Sequence, residues 1–398
     1  MIARGIVLRL ALAQLVAWGV SYYLIGVFGT AIAADLGWGA AEVHGGFALG
    51  LAVTGLAAPF AGRLVDRHGG RWVMIAGAVA MAAGCLLLAA ARGPVLYVAA
   101  WICLGLAMSF TLYDAAFATL ARIGGRQAGP AMSAVTLLGG LSSSLFWPLG
   151  QGLMQALGWR GAVVVYAVLA LATLPLHLGL PAGHGPRPAI LRPVPAARTP
   201  PTARRPLAPA MLYALIMAVA AFLAAGMAAH MIAILAGLGL GAQAAVWVAA
   251  ARGVGQSAAR LCEVTTGGRS DAKRLNLIAC LLLPPAFAAC LAGGGSVVAA
   301  LGFSLAYGAG NGLLTITRGT LPLVLFDPRR YGLTVGRLIA PGFAASAVAP
   351  VAYAAVMARW GAEGALVLSL GLGIIAGLAA LLLFSGVPRP GKGRQARL

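Results

Sequence analysis

Gly62-Arg-Leu-Val-Asp66-Arg67-His68-Gly69-Gly70-Arg71 is a charged, glycine-broken stretch between two long apolar runs. Its aspartate, three cations and paired glycines suit a tight turn at a membrane surface, where charges stay hydrated. The rest of the chain agrees. Of its 398 residues, 61% are hydrophobic and 9% charged, and the mean hydropathy is +0.93. Soluble domains carry roughly 25% charged residues, so this chain lacks the polar surface to face water. A membrane helix takes about 20 apolar residues, which leaves room for twelve spans. They must be helices, because an open sheet in lipid leaves backbone donors and acceptors unpaired.

Outward from residues 62–71, apolar runs predict six spans over roughly 7–30, 45–64, 72–91, 95–120, 131–157 and 161–180. A Pro- and Arg-rich segment, 181–208, reads as a solvated linker. Six more spans follow over roughly 209–235, 243–262, 276–293, 296–326, 335–358 and 364–386. The expected organisation is a bundle over 1–180, the linker over 181–208, a second bundle over 209–387 and a basic tail over 388–398.

The net charge of +20 does not predict nucleic-acid binding, because of where the cations lie. Of 28 Lys and Arg residues, all but five fall in the loops, linker, ends and tail on the side of the termini. Arg92, Arg160 and Arg359 fall opposite, and Arg252 and Arg318 lie inside spans. That is the positive-inside pattern, so both termini are expected in the cytoplasm. Five scattered cysteines imply neither a disulfide framework nor a metal site. No Gly-x-x-x-x-Gly-Lys-Ser/Thr loop supports ATP-driven pumping, no nucleophile stands beside a base, and no cofactor is called for.

The halves echo each other. Arg63-Leu64-Val65-Asp66 followed by Gly69-Gly70-Arg71 is matched by Arg260-Leu261-Cys262-Glu263 followed by Gly267-Gly268-Arg269. Gly158-Trp159-Arg160-Gly161 is matched by Arg359-Trp360-Gly361. The Gly-x-x-x-Asp-Arg-x-Gly-Gly-Arg spacing resembles the loop between helices 2 and 3 of the major facilitator superfamily. This resemblance implies an all-α membrane protein of twelve helices in two pseudo-symmetric six-helix bundles, rocking about a midplane site. It also implies a gating role for Gly62, Asp66, Arg67, Gly69, Gly70 and Arg71, with Arg260, Glu263 and Arg269 as their weaker copy. The segments around Asp114 and Arg318 look distantly similar to a bacterial subgroup near the monocarboxylate and oxalate–formate carriers. A monomer in the bacterial inner membrane is the expectation.

Charges inside a span cost about 2.5–3.5 kcal/mol on insertion scales and usually face a polar cavity or a partner. Asp114 in span 4 and Arg318 in span 10 lie at comparable depth, one in each half. By the resemblance, helices 1, 4, 7 and 10 line the translocation route. Asp114 and Arg318 are then expected to pair in one state and part in another. A carboxylate without its cation in a low-dielectric site favours taking up a proton. Arg252, in mid-span 8, offers a fork for a carboxylate or another oxyanion. Gln14, Trp18 and Tyr22 share one face of span 1, with Tyr23 beside them, and Asn311 lies on the stripe of Arg318. His230 reads as a packed or solvated histidine, and His44 as an edge residue. The favoured function is proton-coupled movement of a small anionic or polar solute. Efflux of a toxic compound, drug-like or arsenical, and a non-transporting solute sensor remain open.

Overall fold

The structure, a computed structural model, describes residues 2–125, 128–182, 207–265, 271–326 and 331–386. Their regular secondary structure is entirely helical, with no strand among them. The elements are α1 (Arg4–Val20), α2 (Leu24–Leu36), α3 (Ala40–His68), α4 (Gly70–Ala90), α5 (Pro94–Thr111), α6 (Tyr113–Gly124), α7 (Gly129–Gly140), α8 (Ser142–Leu171) and α9 (Leu174–Leu178). The second half holds α10 (Leu207–Gly237), α11 (Ala242–Thr265), α12 (Ala272–Leu281), α13 (Leu283–Gly293), α14 (Val297–Leu325) and α15 (Tyr331–Gly386).

Nine stretches among the described residues are long and apolar enough to cross a membrane. Two of them, Gly129–Leu178 and Leu338–Gly386, are too long for one crossing and turn back at Gly158 and Gly361. Both glycines have positive φ, 68° and 66°, a region that side chains avoid and glycine tolerates. Dividing there gives eleven crossings. The twelfth is α11, whose 24 residues are long enough although Arg252, Gln256 and Arg260 lower its hydropathy. The expected twelve helices are therefore present, six in α1–α9 and six in α10–α15.

The halves meet along α3 with α15, α7 and α8 with α11, and α2 with α10. Small residues permit these approaches, as lipid-buried helix pairs require. Ser144 Oγ donates to Ala250 O at 2.6 Å and Ser257 Oγ to Leu137 O at 2.7 Å, so hydrogen bonds also cross the seam.

The stretch over 62–71 differs from expectation. It is shorter than the gap left between the expected spans 45–64 and 72–91: α3 runs through His68, α4 starts at Gly70, and Gly69 alone makes the turn. Gly69 sits at φ 84°, ψ 156°, which is essentially glycine-only space. Gly62 is a helix-interior residue with open space around it. Gly70 is needed for a close approach, because a Cβ there would overlap Thr119 of α6. Arg71 Nε donates to Leu180 O, and Arg122 donates to the backbone carbonyl of Asp66. The side chains of Asp66 and Arg67 are exposed. Helix α11 carries Glu263 in its last turn. Arg269 lies outside the described residues, as do 183–206 of the linker and the tail.

Gly70→Ala should lower the melting temperature in detergent, because overpacking of this kind costs about 1–3 kcal/mol. Gly62→Ala, with nothing to meet, should leave it unchanged or raise it.

Candidate functional site

A cavity of about 210 Å³ lies between the halves. Its walls come from broken helices, and the breaks place the functional side chains. The first crossing is interrupted over Ser21–Tyr23, the fourth at Leu112 and the fifth at Leu141. A helix end frees backbone carbonyls, which in lipid must find partners. Gln14 Nε2 donates to Thr111 O at 2.5 Å, Trp147 Nε1 to Tyr23 O at 3.1 Å, and Ser257 to Leu137 O at 2.7 Å. Each break is thereby held by a side chain from a neighbouring helix.

Trp18, Tyr22, Tyr23 and Tyr113 form an aromatic wall on the first half. Trp18 lies 4.9 Å from both the Tyr22 and Tyr113 ring centroids and 6.2 Å from that of Tyr23. Gln14 does not line the cavity, contrary to the expectation from its stripe. It is fully buried behind the wall, and its Oε1 accepts the Trp18 indole N–H at 3.2 Å. It positions Trp18 and caps the α5 break instead of meeting solute.

The facing wall is a polar stripe on α11. Arg252, Gln256 and Arg260, spaced i, i+4, i+8, all line the cavity. Arg252 is 1% exposed, and its guanidinium carbon lies 5.4 Å from the Tyr23 centroid and 5.3 Å from that of Tyr307. Its Nε and Nη1, together with Gln256 Oε1 and Arg260 Nη2, are buried without hydrogen-bond partners in the protein. Arg260 corrects its sequence placement: it is not a loop cation but a buried helix residue. It donates to Thr136 O of α7 across the seam and to Gly312 O of α14 at 3.4 Å. Gln256 was missed by sequence reasoning, although its i±4 spacing from both arginines was available to find it.

Asp114 and Arg318 line the same cavity, from α6 and α14. Asp114 is exposed and lies in the first turn of α6, where free backbone N–H groups favour an anion. Arg318 is half-buried with Phe343 beneath it at 5.8 Å, and its backbone carbonyl accepts from Tyr213 at 2.8 Å. Asp114 and Arg318 are not paired here. An ion pair forms instead between Arg160 and Asp35, at the far end from the termini. Asn311 also lines the cavity. Among the described residues no cysteine lines it, and no group of three or more metal-ligating side chains occurs.

Comparison with known proteins agrees with this architecture. Residues 10–322 match the family model described as Major Facilitator Superfamily. A crystal structure of the nucleoside transporter NupG, in a single-substitution form, aligns with a TM-score of 0.73 at 12% identity, covering 95% of this chain and 100% of that one. At that identity the likeness concerns the fold alone. No curated protein matches the sequence. The chain belongs to the Major Facilitator Superfamily; it is a multi-pass membrane transporter of a small solute and not an enzyme.

Gln14→Leu should destabilise the protein by about 1–3 kcal/mol, the cost of leaving buried polar groups unsatisfied. Thermal unfolding of the purified variant checks it. Trp18→Phe, which keeps the Thr111 bond, should lose less.

Proposed function

We propose that this member of the superfamily moves a small organic anion by alternating access, with proton movement coupled through Asp114. The observation that carries the reading is Arg252, a buried guanidinium between two tyrosine rings with no carboxylate against it. A buried cation with spare donors is the chemistry that recognises a carboxylate or similar oxyanion. Arg260 and Arg318 add positive charge to the lining, and Asp114 is the only acid in it among the described residues. The aromatic wall opposite suits an apolar or planar remainder of the solute. A cavity of about 210 Å³ lies below the roughly 300–1,000 Å³ of drug-sized sites, which favours a small solute over a bulky drug. A lining without cysteine offers no thiolate to recognise an arsenical.

In this reading the first bundle (1–180) and the second (209–387) rock about the cavity, and the terminal side faces the cytoplasm as its cations require. Asp114 and Arg318 approach when that side closes. The present separation of the two belongs to the state open toward the termini. When the solute anion occupies the arginines, Asp114 loses competition for them, so proton and solute occupancy become linked.

Vesicles with an imposed pH gradient test this. Wild type should accumulate a labelled small carboxylate when the gradient is present. Asp114→Asn should still exchange it in counterflow but lose at least about tenfold in gradient-driven accumulation, a coupling change of roughly 1.4 kcal/mol. Full gradient dependence in Asp114→Asn would remove Asp114 as the coupling group. Binding without any exchange would mark a sensor.

A further inference from the structure

Two histidines play no part in the transport reading above, from which this inference takes only its two-state premise. His44, near the start of α3, and His230, near the end of α10, come one from each half and meet with ring centroids 3.9 Å apart and planes at 47°. They are 7% and 2% exposed. Both lie toward the end of the molecule opposite the termini, in the seam that separates the cavity from that side. The seam is close-packed: a Cβ at Gly26 of α2 would overlap the backbone carbonyl of Ala228, and Gly29 leaves just the space that His44 fills.

The hydrogen bonds define each ring. His230 Nε2–H donates to Pro350 O at 2.8 Å, which leaves Nδ1 as its basic nitrogen. His44 Nδ1 is buried without a partner in the protein. Tyr353 stacks on the other side of His230, centroids 5.9 Å apart and planes 12° apart, with its hydroxyl engaged by Ser369 at 2.6 Å. Among the described residues no counter-charge faces the pair from any packed helix. On α3, Glu42 turns to the backbone N–H of Gly39 at 2.6 Å. On α2, Asp35 is held by Arg160. On α5, the Tyr97 hydroxyl donates to Val43 O at 2.6 Å. Besides His230, α10 contributes no titratable group within this seam, and α15 contributes Tyr353. A seam this close-packed and without counter-charge suits two neutral imidazoles. Two imidazoliums at this separation, without a carboxylate, repel each other and demand water.

We propose that His44 and His230 form a proton-binding site that holds the far side of the transporter closed when neutral and releases it when protonated from that side. Each half contributes one ring, so repulsion between them acts along the coordinate that opens the far side. Solution acidity on that side thereby biases the protein toward accepting solute from it. Each proton taken up adds to a ring nitrogen lone pair and leaves again on deprotonation, with no other reactant.

Spin labels on exposed residues at the far ends of α3 and α11 read this out, using Ala41→Cys with Gln243→Cys in a Cys262→Ser background. The distance distribution is recorded in lipid nanodiscs between about pH 8 and about pH 5, the range over which histidine changes charge. With native histidines, the longer-distance population should rise at least about threefold on acidification. His44→Gln and His230→Gln should each flatten that rise, as should His44→Phe, which keeps a packed ring in the seam. His68→Gln, exposed at the opposite end of α3, should not. An unchanged distribution with native histidines, or an undiminished rise in His44→Gln, His230→Gln and His44→Phe, overturns the proposal. The readout needs no solute, so a failure of carboxylate binding at Arg252 would not alter it.

Discussion

A guanidinium buried in mid-membrane without a carboxylate is the constraint from which the rest of this structure follows. Insertion of an arginine at the centre of a span costs about 2.5–3.5 kcal/mol. The rings of Tyr23 and Tyr307, both within 5.5 Å of Arg252, return part of it, since a desolvated cation–π contact contributes up to about 2 kcal/mol. They satisfy the charge but not the hydrogen-bonding capacity, and Nε and Nη1 stay without partners in the protein. A purely structural arginine would have used those donors. Arg260 on the same helix spends Nε on the carbonyl of Gly312 and Nη1 on that of Thr136, and leaves Nη2 without a partner in the protein. Two arginines on one stripe therefore differ: Arg260 is tied to carbonyls on both sides of the seam, whereas Arg252 keeps two buried donors unspent.

The breaks in the wall helices serve the same end. A continuous helix presents only side chains to a cavity, whereas a broken one also presents its backbone ends. Here the freed groups are consumed by Gln14, Trp147 and Ser257. That fixes the breaks as parts of the fold and places Asp114 at a helix start. The aromatic wall depends on this arrangement, because Gln14 holds both the α5 end and the Trp18 indole.

The fold was legible because hydropathy and charge asymmetry are properties of composition along the chain, and twelve spans need no knowledge of packing. The 62–71 stretch carried the correct turn but the wrong extent: helical bonding continues to His68 because water at the membrane edge solvates Asp66 and Arg67 without unwinding the helix. Asp114, Arg318 and Arg252 were legible as site candidates because charge inside lipid is costly and so conspicuous. Gln14 misled, since spacing reports a face but not whether a neighbouring helix covers it. Arg260 misled in the opposite way, placed at a loop by its repeat position and found inside the bundle. The His44–His230 contact was illegible, for it joins distant segments that become neighbours only when the halves dock.

The most direct measurement is calorimetric binding of a small carboxylate and its neutral amide isostere to the purified protein, with native Arg252 and with Arg252→Lys. The account predicts that the carboxylate binds and the amide does not. It also predicts that lysine, lacking the planar fork, weakens the carboxylate at least about tenfold, or 1.4 kcal/mol. Equal binding of carboxylate and amide, or an Arg252→Lys protein with undiminished affinity, would contradict it.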